Sequence, residues 1–463
     1  MEEMGAFVFT SLTRAVGIGA NSYLLEVEGR RVVLDAGLHP RLEGEEALPQ
    51  WGGLGEDSVD AVVVTHAHQD HVGALPVLLR RQRRASVFMT EATLAMGEVM
   101  LHNSVNVMLK RRDEGIGGAP LFTHREVDLQ ARRWTKAPLR QRFSLEGERL
   151  GPEEEEPSIE FHDAGHILGS AGTLIRSGGR TLLYTGDVNF ADQSLMQAAR
   201  FPEHSVDVLV IEATRGDRAT PEGFSREAEE RRLAESIGAV FERGGCVVMP
   251  LFALGKTQEM LALFHQFRRR GWLGMDCPIY IGGLGAKLTQ VHDRLASQTP
   301  RQYPGLQLLD QVAPYVVGGQ EARSLPMKRG RIYALSSGMM TEKTVSNTVA
   351  SLMLSDPLHA LFFVGYADPE SPAGRVRSAA HGSMVELSAQ LPSQPLRCQV
   401  EAFQLSGHAS RENIREYVNR VRPGKVVLVH GDEPAVDWFR TTLSADLPGS
   451  AVMVAQPGVS LEL

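Results

Sequence analysis

Cysteine is scarce in this sequence. Its 463 residues contain only Cys246, Cys277 and Cys398, and none of them forms a C-x-x-C pair. A secreted disulfide scaffold or a cysteine-based zinc site needs more cysteines at closer spacing. We therefore expect reduced thiols in the core of a cytoplasmic protein.

Long apolar runs and targeting signals are also missing. No stretch approaches the ~20 apolar residues that a membrane span requires. The N-terminal stretch MEEMGAFVFTSLTR starts acidic, whereas a signal peptide starts basic and continues into a long apolar run. The sequence therefore predicts no membrane partner.

Basic residues are outnumbered by acidic ones, with 48 lysines and arginines against 56 aspartates and glutamates. The net charge of −8 argues against coating nucleic acid through global positive charge, although it leaves a local basic cleft open. The candidate patches are Arg80–Arg84, Lys110–Arg112 and Arg268–Arg270. For each run taken alone, a solvated helix face is the better interpretation. Length and a hydrophobic content of 43% predict a globular protein of two or three domains.

The sequence is rich in short apolar runs that end in a polar residue. Five such runs are RRVVLDAG, VDAVVVTHAH, RTLLYTGD, VDVLVIEAT and KVVLVHGD, which lead to Asp35, His66, Asp187, Glu212 and His430. Runs of leucine and β-branched residues closed by a turn are typical of buried strands. We therefore expect one edge of a sheet, or of two stacked sheets, to carry the chemistry.

The middle of the chain follows a different pattern, in which strands alternate with amphipathic helices from about Pro221 to Pro395. One helical stripe is Leu233, Ile237, Val240 and Phe241, and another is Met260, Leu263, Phe264 and Phe267. Such a βαβ series predicts a mostly parallel sheet flanked by helices. The simplest organisation is an α/β domain inserted into another domain, which the C-terminal stretch rejoins.

The stretch THAHQDH concentrates metal-ligand side chains. His66, His68, Asp70 and His71 lie within six positions, directly after a run of valines. In an extended segment His66 and His68 point the same way and can hold one ion, while Asp70 and His71 can reach a second. Imidazole and carboxylate ligands suit zinc. A polar turn without metal is the alternative, but four such residues in six positions make it the weaker one.

Further ligands must come from distant parts of the chain. DAGHILGS offers His166, YTGD offers Asp187, and LVHGD offers His430. Each is a weak candidate by itself, and their shared position at strand ends strengthens all three.

The motifs H-x-H-x-D-H, GHILGS and TGD, in this order, resemble the metallo-β-lactamase fold. IEATRGDR, FQLSGHAS and VLVHGD resemble the further motifs of its β-CASP branch, above all the RNA-processing nucleases related to the endonuclease subunit of the cleavage and polyadenylation specificity factor. The resemblance implies an α/β fold, namely an αββα sandwich with an inserted β-CASP domain built on a mostly parallel sheet. It places the first part of the sandwich at residues 1–216, the insertion at 217–396 and the second part at 397–463.

The resemblance also implies residue roles and two Zn²⁺ ions per chain. His66, His68 and His166 would hold the first zinc, Asp70, His71 and His430 the second, and Asp187 would bridge them. Asp35 would orient a zinc histidine from the second shell. Glu212 and His408 would pair beside the metals, with His408 as proton donor, so the catalytic residues would be Asp70, Asp187, Glu212 and His408.

The implied activity is hydrolysis of single-stranded RNA, mainly endonucleolytic, leaving 5′-phosphate and 3′-hydroxyl ends. The alternatives are another metallo-β-lactamase hydrolase, such as a DNA nuclease, and a non-catalytic RNA-binding scaffold. The resemblance leaves room for a homodimer and for exonuclease activity. Ala213 and Arg215 depart from the serine and tyrosine that the family often has, which affects substrate contacts rather than metals.

Overall fold

A computed structural model describes residues 6–151, 154, 157–204 and 206–463. The chain forms two compact units. Unit 1 comprises Met1–Asp192, Gln197–Thr220 and His408–Leu463, and unit 2 comprises Gln193–Met196 and Pro221–Gly407. The three cysteines are buried and unpaired, as expected.

Unit 1 contains two seven-stranded sheets. The first consists of β1 (Phe7–Ser11), β2 (Tyr23–Val27), β3 (Arg30–Leu34), β4 (Ala61–Val63), β5 (Ser86–Met89), β6 (Trp134–Lys136) and β22 (Ser460–Glu462). The second consists of β7 (Arg142–Ser144), β8 (Ser158–Asp163), β9 (Ala171–Ser177), β10 (Arg180–Tyr184), β11 (Val208–Glu212), β20 (Lys425–Val429) and β21 (Ala451–Val454). Both sheets are mixed, because each has a parallel half and an antiparallel half.

The helices of unit 1 are α1 (Gln69–Val72), α2 (Leu75–Arg81), α3 (Glu91–Asp113), α4 (His124–Ala131), α11 (Arg411–Val421) and α12 (Glu433–Asp446). One core joins the two sheets, and it includes Phe9 of the first and Phe161 of the second. Two further cores pack α2 and α3 on the outer face of the first sheet, and α11 and α12 on that of the second. The layers therefore form the expected αββα sandwich.

Burial on both faces explains why β11 is apolar from Val208 to Ile211. In β11, Val208 and Val210 face the core between the sheets, whereas Leu209 and Ile211 face the helices. Successive side chains of a strand point to opposite faces, so both sets must be apolar when both faces are covered.

The five predicted strand endings lie where the sequence placed them. Asp35 directly follows β3, and Glu212 is the last residue of β11. His430 directly follows β20, while His66 and Asp187 come three residues after β4 and β10. Since β10, β11 and β20 are neighbours and run parallel, their carboxyl ends share one sheet edge.

Unit 2 is built on a six-stranded sheet. Its strands are β12 (Val247–Pro250), β13 (Ile279–Gly282), β14 (Tyr315–Val317), β15 (Ile332–Leu335), β16 (Ala360–Phe363) and β19 (Gln399–Ala402), and a separate antiparallel pair is β17 (Met384–Val385) with β18 (Gln394–Pro395). All pairings in the six-stranded sheet are parallel. The expectation of a mostly parallel sheet thus holds for this sheet, whereas the sheets of the chain as a whole are mixed.

The helices of unit 2 are α5 (Arg226–Glu242), α6 (Lys256–Arg269), α7 (Gly283–Arg294), α8 (Leu308–Val312), α9 (Val345–Ser351) and α10 (Pro372–Ser378). The predicted stripes lie on α5 and α6, and all their residues are buried except the half-buried Phe241. Stripes at helical spacing therefore identified the packed faces correctly.

The compact units divide the chain at a different place from the predicted boundary at residue 397. The segment that follows it forms β19, which pairs in parallel with β16 and extends the sheet of unit 2. The chain returns to unit 1 only at His408. Strand pairing decided this boundary, and the apolar pattern of CQVEAFQ does not reveal which sheet the strand joins. Gln193–Met196 also belongs to unit 2, where the backbone N–H groups of Ser194 and Leu195 donate to Glu259.

Two of the basic runs have structural uses. Arg81 donates to the carbonyl oxygens of Trp51 and Leu54. Arg268 donates to those of Val312 and Cys277. No helix in the described part of the chain has both the length and the apolar character to cross a lipid bilayer.

Candidate metal centre

Three histidines of unit 1 direct ring nitrogens at one another. His66 follows β4, His68 precedes α1, and His166 lies in the loop between β8 and β9. His68 Nδ1 lies 3.1 Å from His66 Nε2 and 3.2 Å from His166 Nε2. Asp187 Oδ2 lies 3.5 Å from His66 Nε2 and 3.6 Å from His166 Nε2. These four residues form a group that could hold a metal ion.

The spacing of this group fits a tetrahedral zinc site. Zinc binds imidazole nitrogen at about 2.0–2.1 Å, which places tetrahedral ligands about 3.3–3.4 Å apart. The four separations of 3.1 to 3.6 Å bracket that value. The donor set also suits zinc, since imidazole and carboxylate are its usual ligands.

A second group that could hold a metal consists of Asp70, His71 and His430. Asp70 Oδ2 lies 3.3 Å from His430 Nε2 and 3.9 Å from His71 Nε2. Asp70 and His71 belong to α1, whereas His430 caps β20 with a positive φ of 48°. A left-handed backbone conformation is uncommon for a residue other than glycine, and the surrounding structure must hold it in place.

Asp187 lies between the two groups. Its Oδ2 faces the first group, whereas its Oδ1 lies 3.3 Å from His71 Nε2 and 2.9 Å from His430 Nδ1. Among the described residues, Oδ1 nevertheless has no hydrogen-bond partner, and it is buried. A buried carboxylate oxygen in this condition is costly unless a cation or a proton neutralises it, so the position fits a bridging ligand.

The turn before Asp187 explains the TGD motif. Gly186 has a φ of 54°, and a Cβ atom there would lie 2.8 Å from the Thr65 side chain. Only glycine both adopts this conformation readily and allows the close approach. The turn therefore brings Asp187 close to the segment that carries His66.

The electrostatics of the site favour a cation at its centre. Burial lowers the pKa of His66 well below its usual range, so this ring stays neutral and keeps a lone pair for a metal. Burial also opposes protonation of His430, but Asp187 outweighs it and raises the pKa of His430 to about 10. Likewise, Asp187 and Asp35 overcome burial and raise the pKa of His71 well above its usual value. The carboxylates of Asp35 and Asp187 thus stabilise positive charge in the site, and either protons on the histidines or a divalent cation can supply it.

Asp35 orients His71. Its Oδ2 accepts from His71 Nδ1 at 2.8 Å and from the Tyr184 hydroxyl at 2.7 Å, and its Oδ1 accepts from the Thr65 backbone N–H at 2.7 Å. With Nδ1 engaged, His71 directs Nε2 toward Asp70 and Asp187. A carboxylate that fixes a histidine in this way is typical of metal sites.

We expect Asp35→Asn to weaken metal binding by His71. Every group that contacts Asp35 donates to it, including the Thr65 hydroxyl, so the new amide NH₂ replaces an acceptor that at least one of these donors uses. Loss of such a partner typically costs about 10–100-fold in metal affinity. Metal titration followed by elemental analysis measures this.

Tyr184→Phe is the matched control for Asp35→Asn, because it removes a donor to Asp35 but leaves the contact with His71. An Asp35→Asn affinity equal to that of the control would contradict the orienting role.

Glu212 and His408 form a pair next to the first group. His408 Nδ1 lies 3.0 and 3.2 Å from the two oxygens of Glu212 and 4.0 Å from Asp187 Oδ2. Glu212 is buried and also accepts from the Val188 backbone N–H, whereas the His408 side chain is 25% exposed. Burial opposes protonation of His408, but Glu212 and Asp187 raise its pKa above the usual value.

Several residues of the site escaped the sequence analysis. Asn21 Nδ2 lies 3.0 Å from His71 Nε2, and Thr214 Oγ1 lies 3.2 Å from His430 Nδ1. Ser104 of α3 donates to the side chain of Gln69 within the THAHQDH stretch. Arg215 is half-buried and approaches the carbonyl oxygen of His408 at 3.5 Å. The sequence analysis had named Arg215 for its departure from the family pattern but not for this contact, and it had not named Asn21, Thr214 or Ser104.

Comparisons with known proteins match three family models to different parts of the chain. The family model of the metallo-beta-lactamase superfamily matches residues 16–206, and the Beta-Casp domain model matches residues 257–376. The model of the Zn-dependent metallo-hydrolase RNA specificity domain matches residues 393–454. The sandwich fold, the two donor groups and the matched models together place the chain in the metallo-β-lactamase superfamily. Within it, the chain belongs to the Beta-Casp family.

Individual relatives extend over most of the chain. A ribonuclease of Thermus thermophilus is 30% identical over 428 residues, which cover 90% of this chain and 91% of that protein. The cleavage and polyadenylation specificity factor 73 of Drosophila melanogaster is 26% identical over 456 residues, which cover 94% of this chain and 61% of that protein. The chain spans only 56–61% of the length of such longer relatives.

A solved structure supports the fold. A protein of unknown function from Enterococcus faecalis aligns with a TM-score of 0.56 over 99% of this chain and 100% of that one, at 12% sequence identity. The matched family models and the similar relatives confirm the family resemblance predicted from the motifs.

Proposed function

We propose that this protein is a zinc-dependent ribonuclease that cuts single-stranded RNA, mainly internally, and leaves 5′-phosphate and 3′-hydroxyl ends. The observation that carries the proposal is the Glu212–His408 pair, which lies beside Asp187 and the two donor groups. A metal-binding scaffold needs no such pair, whereas phosphodiester hydrolysis needs a proton donor.

Two zinc ions are proposed as the cofactors. His66, His68 and His166 would hold one, Asp70, His71 and His430 the other, and Asp187 would contact both. When bound, such a pair of ions activates water and neutralises charge on a phosphodiester. Since all seven side chains are present and converge, the geometry supports an active enzyme over an inactive scaffold.

The protein's own residues would supply the proton. Water attacks phosphorus, the bond from phosphorus to the 3′-oxygen breaks, and that oxygen takes a proton from His408. The proton that the attacking water releases goes to solvent, from which His408 is protonated again. Glu212 engages Nδ1 of His408, which leaves Nε2 as the nitrogen for proton transfer. Glu212 also keeps the ring charged, because a buried carboxylate stabilises an imidazolium.

The choice of RNA rests on the comparisons as well as on the sequence. One matched model describes an RNA specificity domain, and the similar Thermus protein is named a ribonuclease. Arg215 adds a cation next to His408 that could contact a phosphate. A DNA nuclease is the alternative, and a homodimer stays a prediction.

We expect single-stranded RNA to be cut internally and much faster than DNA of the same sequence. Water is the proposed nucleophile, so the 2′-hydroxyl serves recognition only. One 2′-deoxy substitution at the cut site should therefore slow cleavage without abolishing it. End-mapping of products from matched substrates, with and without chelator, measures this.

Two results of the end-mapping would contradict the proposal. Equal rates on RNA and DNA would favour the general nuclease. A 2′,3′-cyclic phosphate end would show that the 2′-hydroxyl attacks, which rules out the proposed chemistry.

A further inference from the structure

A second cluster of metal-ligand side chains lies on two helices of unit 1. Glu98 and His102 are four residues apart on α3, and His124 and Asp128 are four residues apart on α4. Residues at this spacing lie on the same helix face, and the two helices pack against each other. We propose that this cluster binds a further divalent transition metal ion, such as zinc, through Glu98, His102 and Asp128, with His124 as a positioning residue.

The distances support three ligands. One donor atom from each of Glu98, His102 and Asp128 lies within 4.8 Å of the others. His102 Nε2 is 3.2 Å from Asp128 Oδ1, close to the spacing of two ligands on one zinc ion. One imidazole with two carboxylates is a mixed nitrogen and oxygen donor set, which zinc and its neighbours in the first transition row accept.

His124 fixes the orientation of His102. The two Nδ1 atoms lie 2.8 Å apart, and the rings stack with their planes 21° apart. At this distance one nitrogen must donate and the other accept. When His102 Nδ1 donates, its Nε2 presents a lone pair toward the Asp128 carboxylate. The lone pairs of His102 Nε2 and Asp128 Oδ1 repel each other at 3.2 Å unless a cation binds both atoms. A bound metal ion would therefore stabilise this tautomer of His102.

The cluster is accessible to ions from solvent. The Asp128 side chain is 55% exposed and that of His102 is 28% exposed. Water can therefore fill the remaining coordination positions, and the affinity should be lower than that of the buried centre. The ion would link α3 to α4 and hold the two helices together.

Hydrogen exchange on the protein with its active-site metals bound tests the proposal. Added zinc should slow amide exchange in the peptides that span residues 98–131, by roughly tenfold at a free zinc concentration ten times the dissociation constant. His102→Ala should abolish this slowing and lower the zinc content by one ion per chain. His381→Ala, which removes an exposed histidine of unit 2, should change neither quantity.

Asp128→Asn is the second variant, in case His102→Ala disturbs the helix packing. It keeps the side-chain shape, and it too should lose the zinc-dependent slowing. If added zinc leaves the amide exchange rates of the unsubstituted protein unchanged, the proposal is overturned, and His102 and His124 form a hydrogen-bonded pair without metal. Equal zinc content in the unsubstituted protein and in both variants would overturn it as well.

Discussion

Asp187→Asn should remove metal from both donor groups. Each carboxylate oxygen of Asp187 faces a different group. Asparagine places an NH₂ opposite one group and a neutral amide oxygen opposite the other, and that oxygen is a weaker ligand for a cation than a carboxylate oxygen. Breaking a buried charge pair costs about 3–5 kcal/mol, or roughly two to four orders of magnitude in affinity. Elemental analysis at limiting zinc should find both of the proposed ions depleted, and the proposed ribonuclease activity should fall with them.

Two comparison variants make this prediction specific. Asp163→Asn changes another buried carboxylate at a strand end, and its oxygen can still accept from the Gly165 N–H, so both ions should stay. His430→Ala should weaken only the second group. If Asp187→Asn depletes one ion and leaves the affinity for the other unchanged, Asp187 serves one group and does not bridge.

His408→Ala should keep both metals and lose most turnover. His408 belongs to neither donor group that holds the proposed metals, and its contact is with Glu212. General acid catalysis typically contributes ~10²–10⁴-fold, so turnover should fall by that factor. Zinc content and single-turnover cleavage rates, measured on the same preparation, separate binding from proton transfer.

His162→Ala is the matched control for His408. His162 is also a mostly buried histidine next to a glutamate, with Nε2 3.0 Å from Glu160, but it lies in neither donor group. Its removal should leave turnover nearly unchanged. If His408→Ala instead loses zinc, His408 is a ligand and the proposed role is wrong.

Local patterns predicted much of the site. His66, His68, Asp70 and His71 are close in sequence, so their convergence follows from a strand end and one helical turn. The strand endings at Glu212 and His430 were also predictable, because apolar runs closed by a turn mark the carboxyl ends of strands. The residue roles came from family resemblance, since a single histidine such as His166 carries little information by itself.

Contacts between distant segments could not be predicted. The hydrogen bond from Tyr184 to Asp35 exists only because the two sheets pack face to face, whereas Thr65 reaches Asp35 from the neighbouring strand of the same sheet. The α3–α4 cluster was missed for the same reason, as the four-residue spacing of polar side chains is common on exposed helices. Only the packing of those helices turns two ordinary pairs into one group.

The sequence by itself determined the strands, the helix faces and the local metal motif, because hydrophobic periodicity and neighbouring ligands are properties of short segments. The tertiary structure alone decided that β19 joins unit 2, that Asp187 offers one oxygen to each donor group, and that His102 meets Asp128. These features depend on which distant segments pair and pack. That choice is made by burial and hydrogen bonding over the whole fold, and no short stretch of sequence contains it.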